Sequence, residues 1–121
     1  STGHYADREL AYVYIKIKDY DKALDHAIIE YNRRPNNNDV NETMAWAYYM
    51  KGDYDQAKKY IDTSLQTNTK NPVLLSQAAL IYERDGDKAK AKQLLDEAMK
   101  NKPNINALLQ QEIDTVFNLK A

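Results

Sequence analysis

Tyr20-Asp21-Lys22-Ala23 recurs 34 residues later as Tyr54-Asp55-Gln56-Ala57, and after the same interval again as Lys88-Ala89-Lys90-Ala91. The surrounding positions keep this spacing without an insertion, with alanine at Ala11, Ala45 and Ala79 and tyrosine at Tyr14, Tyr48 and Tyr82. A fixed period of about 20 to 50 residues is typical of stacked repeats, and this one has the length of two helices joined by a turn. Because such arrays act through extended surfaces, the period predicts a protein that works by binding.

The composition of the 121-residue chain excludes several classes of protein. Its 17 Lys plus Arg against 18 Asp plus Glu leave no basic stripe of the kind that nucleic acid or an anionic membrane requires. Nucleic-acid binding is therefore not expected. Membrane insertion is not expected either, because no apolar run approaches the roughly 20 residues of a membrane span. Cysteine is absent, which excludes disulfides but leaves the compartment open, cytoplasmic by default and periplasmic if a longer parent chain carries a signal.

Turn residues divide each period into two helices. Glycine favours a left-handed helix end and aspartate caps the helix that follows, which predicts turns at Lys18-Asp19, Gly52-Asp53 and Gly86-Asp87. Lys18 takes the glycine position in the first turn and is expected to cost up to about 1 kcal/mol there.

Linkers rich in Asn and Pro set the boundaries between repeats. The predicted repeats span residues 4–37, 38–71 and 72–105, and an amphipathic capping helix spans 106–121, all within one structural domain. Residues 1–3 are predicted to be a remnant of cloning, and the chain is predicted to be a segment of a longer protein.

The pattern resembles the tetratricopeptide repeat (TPR) family over residues 4–105. The matching positions are Leu10, Ala11, Tyr14, Tyr20, Ala23 and Pro35, then Met44, Ala45, Tyr48, Gly52, Tyr54 and Ala57, then Ala78, Ala79, Tyr82, Gly86, Ala91, Ala98 and Pro103. The stretch Asn41–Ala47 also resembles the C-terminal repeat module of a larger bacterial protein of this family. The resemblance implies an all-α fold, a right-handed helical-repeat solenoid of three antiparallel helix pairs plus a C-terminal capping helix.

One departure from the family pattern concerns Glu30, which occupies a position where small residues are expected and where the third repeat has Ala98. A buried carboxylate without a partner would be costly. We expect a polar neighbour such as Asn41 or Thr43 to hold it.

The resemblance also implies that the first helices of the repeats line a concave groove. Trp and Tyr supply large, rigid contact areas and dominate binding hot spots. The predicted recognition stripe consists of Tyr12, Trp46, Tyr49, Met50 and Leu80, and the residues expected to give specificity at its edges are Arg8, Glu42, Glu83 and Arg84. The alternative is that these aromatic residues only pack between neighbouring first helices.

One specialisation of the family is not expected here. TPR co-chaperones that grip an acidic C-terminal peptide use Lys, Asn, Asn, Lys and Arg at defined groove positions. The corresponding residues of this chain are Arg8, Tyr12, Thr43, Val73 and Gln77. Because only Arg8 is basic, the clamp for two carboxylates is missing.

The first helix is apolar on almost every face between Leu10 and Ile17. An exposed apolar patch usually marks an interface. The predicted interface consists of Tyr5, Val13, Ile15 and Ile17, covered either by upstream repeats of the same parent chain or by a second copy in a homodimer. The other interpretation is that these are scattered surface residues.

No motif in the sequence predicts catalysis, a cofactor or a metal site. GxSxG, GxGxxG, HExxH and Walker loops are all missing, and the two histidines, His4 and His26, are isolated. Acidic pairs occur at Asp19/Asp21, Asp53/Asp55 and Asp85/Asp87, but each falls in the turn into a second helix, where aspartate caps that helix.

The sequence thus predicts a non-catalytic scaffold module that binds a protein or peptide segment in an aromatic-hydrophobic groove, with no cofactor. The alternative is an architectural segment that packs on its own parent chain or self-associates through the first helix, with no free ligand.

Overall fold

A computed structural model describes residues 3–67 and 69–119, with side chains from residue 7 onward. The described residues form helices and contain no strand. The helices are α1 (Gly3–Lys16), α2 (Tyr20–Arg33), α3 (Asn38–Lys51), α4 (Tyr54–Leu65), α5 (Pro72–Arg84), α6 (Lys88–Met99) and α7 (Ala107–Val116). The chain is all-α, as predicted.

The turn inside each helix pair follows the predicted chemistry. The residue at the predicted glycine position has a positive φ in all three turns, with values of 66° at Lys18, 93° at Gly52 and 96° at Gly86. The aspartate that follows caps the second helix, its side chain accepting a hydrogen bond from a backbone N–H three residues on, at Asp19, Asp53 and Asp87. The prediction that these aspartates are caps is therefore confirmed for the three that directly precede α2, α4 and α6.

Asparagine starts the first helix of the later pairs. Asn37 accepts a hydrogen bond from Val40 N and caps α3, and Asn71 does the same for α5 through Val73 N and Leu74 N. Asn106 caps α7 in the same way, through Leu109 N. The Asn-rich linkers thus supply the side-chain acceptors that helix N-termini need.

The chain divides into two compact units, Ser1–Thr67 and Asn68–Ala121. In the first unit α1 packs on α2 and α3, and α3 packs on α2 and α4. Two apolar clusters lie between these helices. One joins Ile15, Ala23, Leu24 and Ala47, and the other joins Ala11, Ala27 and Met44. The small residues Ala11, Ala23, Ala27 and Ala47 therefore lie where these helices pack together.

Glu30 is 1% exposed, but its partners are not the ones predicted. Its carboxylate accepts hydrogen bonds from Arg33 Nη1 at 3.1 Å and from Arg34 Nη2 at 2.6 Å, both on the same helix or at its C-cap. The amide of Asn41 donates instead to backbone carbonyls, and the Thr43 hydroxyl donates to Asp39 O. Arginine, and not Asn41 or Thr43, pairs with Glu30 because its long side chain reaches the buried carboxylate while its guanidinium stays partly in water.

In the second unit α5 packs along α6 and contacts α7. α5 carries a continuous run of buried residues from Leu75 to Tyr82. α7 is amphipathic, with Leu109 and Ile113 buried four residues apart. The predicted amphipathic helix after Pro103 is therefore present, and it is shorter than the sequence indicated.

Candidate functional site

The contact between α1 and α3 brings predicted site residues from two repeats together. Arg8 Nη2 donates to Glu42 Oε1 at 3.4 Å, and Arg8 Nε donates to the Thr43 hydroxyl at 3.1 Å. The Tyr12 hydroxyl donates to the other carboxylate oxygen of Glu42 at 3.1 Å. Glu42 is therefore the acceptor that joins the two helices at this point.

The network around Glu42 is close to neutral. The positive charge of Arg8 is paired with the Glu42 carboxylate, and the Arg8 guanidinium lies 5.7 Å from the centre of the Tyr12 ring. Burial of Tyr12, and then the negative charge of Glu42, raise the pKa of its hydroxyl well above the ordinary value of about 10, although the positive charge of Arg8 opposes this. Tyr12 is therefore a neutral donor at physiological pH.

Trp46, one turn beyond Glu42 on α3, is held by an aromatic stack. Its ring lies 4.7 Å from the ring of Tyr49, and the two planes differ by 6°. Tyr49 in turn contacts Tyr54 of α4, with ring centres 5.6 Å apart. Trp46, Tyr12 and Met50 all pack against the Ile15 cluster and remain partly exposed.

The term α1/α3 face refers here to the partly exposed side chains of this region, which are Arg8, Tyr12, Glu42, Trp46 and Met50. On α1 the two members are four residues apart, and on α3 the three are spaced by four, so each set lies on one side of its helix.

Three predicted contact residues are buried instead. Tyr49 is 3% exposed, Leu80 is 0% exposed and Ile15 is 8% exposed. Ile15 belongs to an apolar cluster with Ala23 and Leu24, and Tyr49 supports Trp46 from beneath. Burial gives these side chains a structural role, because a partner contacts only what reaches the surface.

Glu83 and Arg84, the predicted edge residues of the third repeat, lie in the second unit. The Glu83 carboxylate accepts a hydrogen bond from Lys88 Nζ at 2.6 Å across the turn into α6. Arg84 Nη2 lies 3.9 Å from Glu112 Oε2 on α7. Both are therefore engaged within their own unit, and their part in recognition stays a prediction.

The predicted interface on α1 is partly at the surface. Val13 is 50% exposed and Ile17 is 65% exposed, and Leu10 on the same side of the helix is 37% exposed. The side chain of Tyr5 lies outside the described residues.

Sequence reasoning missed the pairing of His26, which was predicted to be isolated. Its Nδ1 lies 3.0 Å from Asp7 Oδ1, and its ring stacks on Tyr14 at 5.4 Å. No local signal joins residues 19 positions apart on different helices, so only the packing of α1 on α2 reveals the pair. The side chain of His4, the other histidine, lies outside the described residues.

No group of His, Cys, Asp or Glu suited to a metal ion occurs among the residues that the structure describes. Within the same residues, no helix is both long enough and apolar enough to cross a membrane.

Comparison with known proteins identifies the family. The family model described as tetratricopeptide repeat matches residues 49–112, which is just over half of the chain. The chain therefore belongs to the tetratricopeptide repeat family, a non-catalytic fold that mediates protein interactions. No curated protein sequence matches it.

Among solved structures, the chain is similar to one described as the first TPR of Spaghetti (RPAP3) bound to the HSP90 peptide SRMEEVD. The TM-score is 0.76 at 18% sequence identity, and the match covers 98% of this chain and 94% of that chain. At this identity the likeness shows the fold, and the peptide is a property of the neighbour.

Proposed function

We propose that this chain is a non-catalytic interaction module that binds a peptide or protein segment on its α1/α3 face. The observation that carries the proposal is Trp46, a partly exposed ring stacked on a buried tyrosine. An aromatic anchor held in place loses little conformational entropy when a partner covers it, so more of the contact energy appears as affinity.

The charges of the face favour an uncharged or apolar segment. Arg8 and Glu42 already pair with each other, and the Tyr12 hydroxyl donates a hydrogen bond to the same carboxylate. A strongly charged ligand would have to break this network, which costs free energy, whereas an aliphatic or aromatic side chain could cover Trp46 and Met50 without disturbing it. The ligand we propose is therefore a segment with an apolar anchor.

The same charges argue against the acidic peptide held by the structural neighbour. Arg8 is the single basic residue at the five clamp positions, and its guanidinium is engaged by Glu42 and Thr43. With no second cation at these positions to meet a terminal carboxylate, the peptide SRMEEVD should not bind measurably. It serves as a negative probe.

Trp46 reports directly on the proposed site because it is the only tryptophan of the chain. Short peptides can be selected from a random display library on the immobilised protein and titrated against it. Emission of Trp46 should shift to shorter wavelength as the ring loses water, and SRMEEVD should produce no shift. Selected peptides that bind tightly without changing the emission would place binding elsewhere.

The second candidate function is architectural: the chain packs on other helices through α1 and has no free ligand. The exposed side chains of Leu10, Val13 and Ile17 favour it. Failure to select any peptide, together with coverage of these residues by other helices, would support this function over peptide binding.

A further inference from the structure

The main chain of the described helices α1 and α3 offers a ligand no free hydrogen-bonding group between the two helix ends. There the backbone N–H and C=O groups pair within each helix. The side chains of Arg8, Tyr12 and Glu42 already hydrogen-bond with one another, so only their spare capacity and the indole N–H of Trp46 remain. An extended segment would lose the hydration of its backbone here without gaining enough partners, which costs free energy.

A helical ligand avoids this cost, because its own backbone groups pair internally. Helices that dock on a protein surface present apolar anchors one turn apart on one side. Trp46 and Met50 lie four residues apart on α3, about 6 Å along the helix axis, and both are partly exposed. Two apolar side chains of a ligand helix, four residues apart, match this spacing.

The α1/α3 face has two distinct ends, because α1 and α3 lie side by side and run in the same direction. Arg8 pairs with Glu42, and further along both helices Ile15 lies in one cluster with Ala47. One end of the face is therefore near the N-termini of both helices and the other is near their C-termini. The segment from Asp39 to Met50 is about 16 Å long, which three turns of a ligand helix would cover.

The two ends of the face carry exposed charges of opposite sign. Asp39 lies in the first turn of α3, three residues before Glu42. Lys16 lies in the last turn of α1, four residues after Tyr12. Neither Asp39 nor Lys16 forms an ion pair with another residue that the structure describes, whereas Arg8 is paired. Each charge also stabilises its own helix end, but both side chains are exposed and can meet a partner.

These charges fix the direction of a ligand helix. A helix that pairs with both has a basic side chain near Asp39 and an acidic side chain near Lys16. An acidic residue is favourable at the N-terminus of a helix and a basic residue at its C-terminus. The stable arrangement therefore places the N-terminus of the ligand near Lys16. Because exposed ion pairs contribute little energy, they set the orientation while the apolar anchors supply most of the affinity.

We propose that the ligand of the α1/α3 face is an amphipathic helix of about three turns that runs antiparallel to α1 and α3. Its apolar side covers Trp46 and Met50. An acidic side chain near its N-terminus faces Lys16, and a basic side chain near its C-terminus faces Asp39. This inference rests on the proposed function, because it names the class of ligand that the same face binds.

Two display pools of peptides of about 14 residues test the class of ligand. The first pool has an alanine-rich helical background with the randomised positions on one side. The second has a flexible background rich in glycine and serine, with the same number of randomised positions. Both pools are selected on the immobilised protein, and the selected peptides are titrated against it. Emission of Trp46 reports binding at the face, and far-ultraviolet circular dichroism reports helix formation.

Selected peptides should shift the emission of Trp46 to shorter wavelength, and the complex should contain more helix than its separate components, since helices this short are marginal alone. Proline at the centre of such a peptide should weaken binding by about 100-fold. Asp39→Asn and Lys16→Gln should each weaken binding by about two- to fivefold, and by more at low salt. The matched control is Asp25→Asn, an exposed acid on α2, which should leave the affinity unchanged.

The outcomes separate this inference from the proposed function. A shift of Trp46 emission without a gain of helix, or full tolerance of the central proline, would overturn the helical ligand and leave the proposed function standing. If no peptide from either pool shifts the emission, both fail. Equal affinity of the helical peptides for the wild type, Asp39→Asn and Lys16→Gln would overturn the assigned orientation.

Discussion

Glu30 is a carboxylate buried almost completely within the first unit. Its carboxylate is buried and accepts hydrogen bonds from Arg33 and Arg34, whose own side chains stay partly exposed. Glu30→Ala should lower the free energy of unfolding by about 1.5–3 kcal/mol, because hydrogen bonds to charged groups are lost while the two cations turn to solvent. Chemical denaturation followed by circular dichroism measures this loss.

Glu30→Gln is the matched control, since it keeps the volume and removes the charge. Its free energy of unfolding should lie between those of the wild type and Glu30→Ala. A neutral or stabilising effect of Glu30→Ala would show that the arginine pairs contribute nothing net, as can happen when the burial of charge offsets their attraction.

Tyr12 makes the free energy of unfolding decrease as pH rises into the alkaline range. Burial first, and then Glu42, raise the pKa of its hydroxyl in the folded state, so the neutral form is favoured by folding. This contribution is complete below the unfolded pKa of about 10 and is lost as pH rises beyond it, because the unfolded tyrosine releases its proton first. Tyr12→Phe should therefore show a shallower decline in unfolding free energy above pH 10 than the wild type. Identical slopes would contradict the raised pKa.

The turns of the three helix pairs allow an internal comparison. Lys18 and Gly52 occupy equivalent positions and both have a positive φ, but only glycine adopts it without strain. Lys18→Gly should raise the free energy of unfolding by up to about 1 kcal/mol, and Gly52→Ala should lower it by about the same amount. A Cβ at Gly52 would meet no atom within 4 Å, so the effect isolates the backbone. Chemical denaturation should show changes in unfolding free energy of opposite sign for the two variants. Changes of the same sign would contradict the assignment of backbone strain to Lys18.

Helix ends could be predicted from the sequence because capping is local chemistry. The side chain of Asp53 caps α4 through a backbone N–H only three residues ahead, and Gly52 ends α3 through its own positive φ. A short stretch of sequence therefore determines both helix ends. Burial is different. Tyr49 was predicted to belong to the recognition stripe and Ile15 to the interface on α1, but which of their neighbours covers them depends on how the helices pack, so their burial could not be predicted.

For the chain as a whole, the 34-residue period predicted the helix pairs and the family, because each period repeats the same packing problem. The partner of His26 could not be predicted, since Asp7 lies 19 residues away on another helix. The partners of Glu30 were predicted wrongly although Arg33 and Arg34 follow it by three and four residues, a spacing at which side chains on a helix meet. The boundaries of the repeats and the part that every predicted site residue plays in recognition stay predictions.

The most direct measurement is the affinity of a selected peptide for the wild type, Trp46→Ala and Tyr60→Ala. Tyr60 on α4 is also partly buried in an aromatic stack, with Tyr48, so its removal is a matched loss of packing away from the α1/α3 face. If Trp46 is the anchor, Trp46→Ala should weaken binding by about 30-fold or more, the size of a hot-spot loss, and Tyr60→Ala should leave it within about threefold. Unchanged affinity in folded Trp46→Ala, or an equal loss in both variants, would contradict recognition at this face.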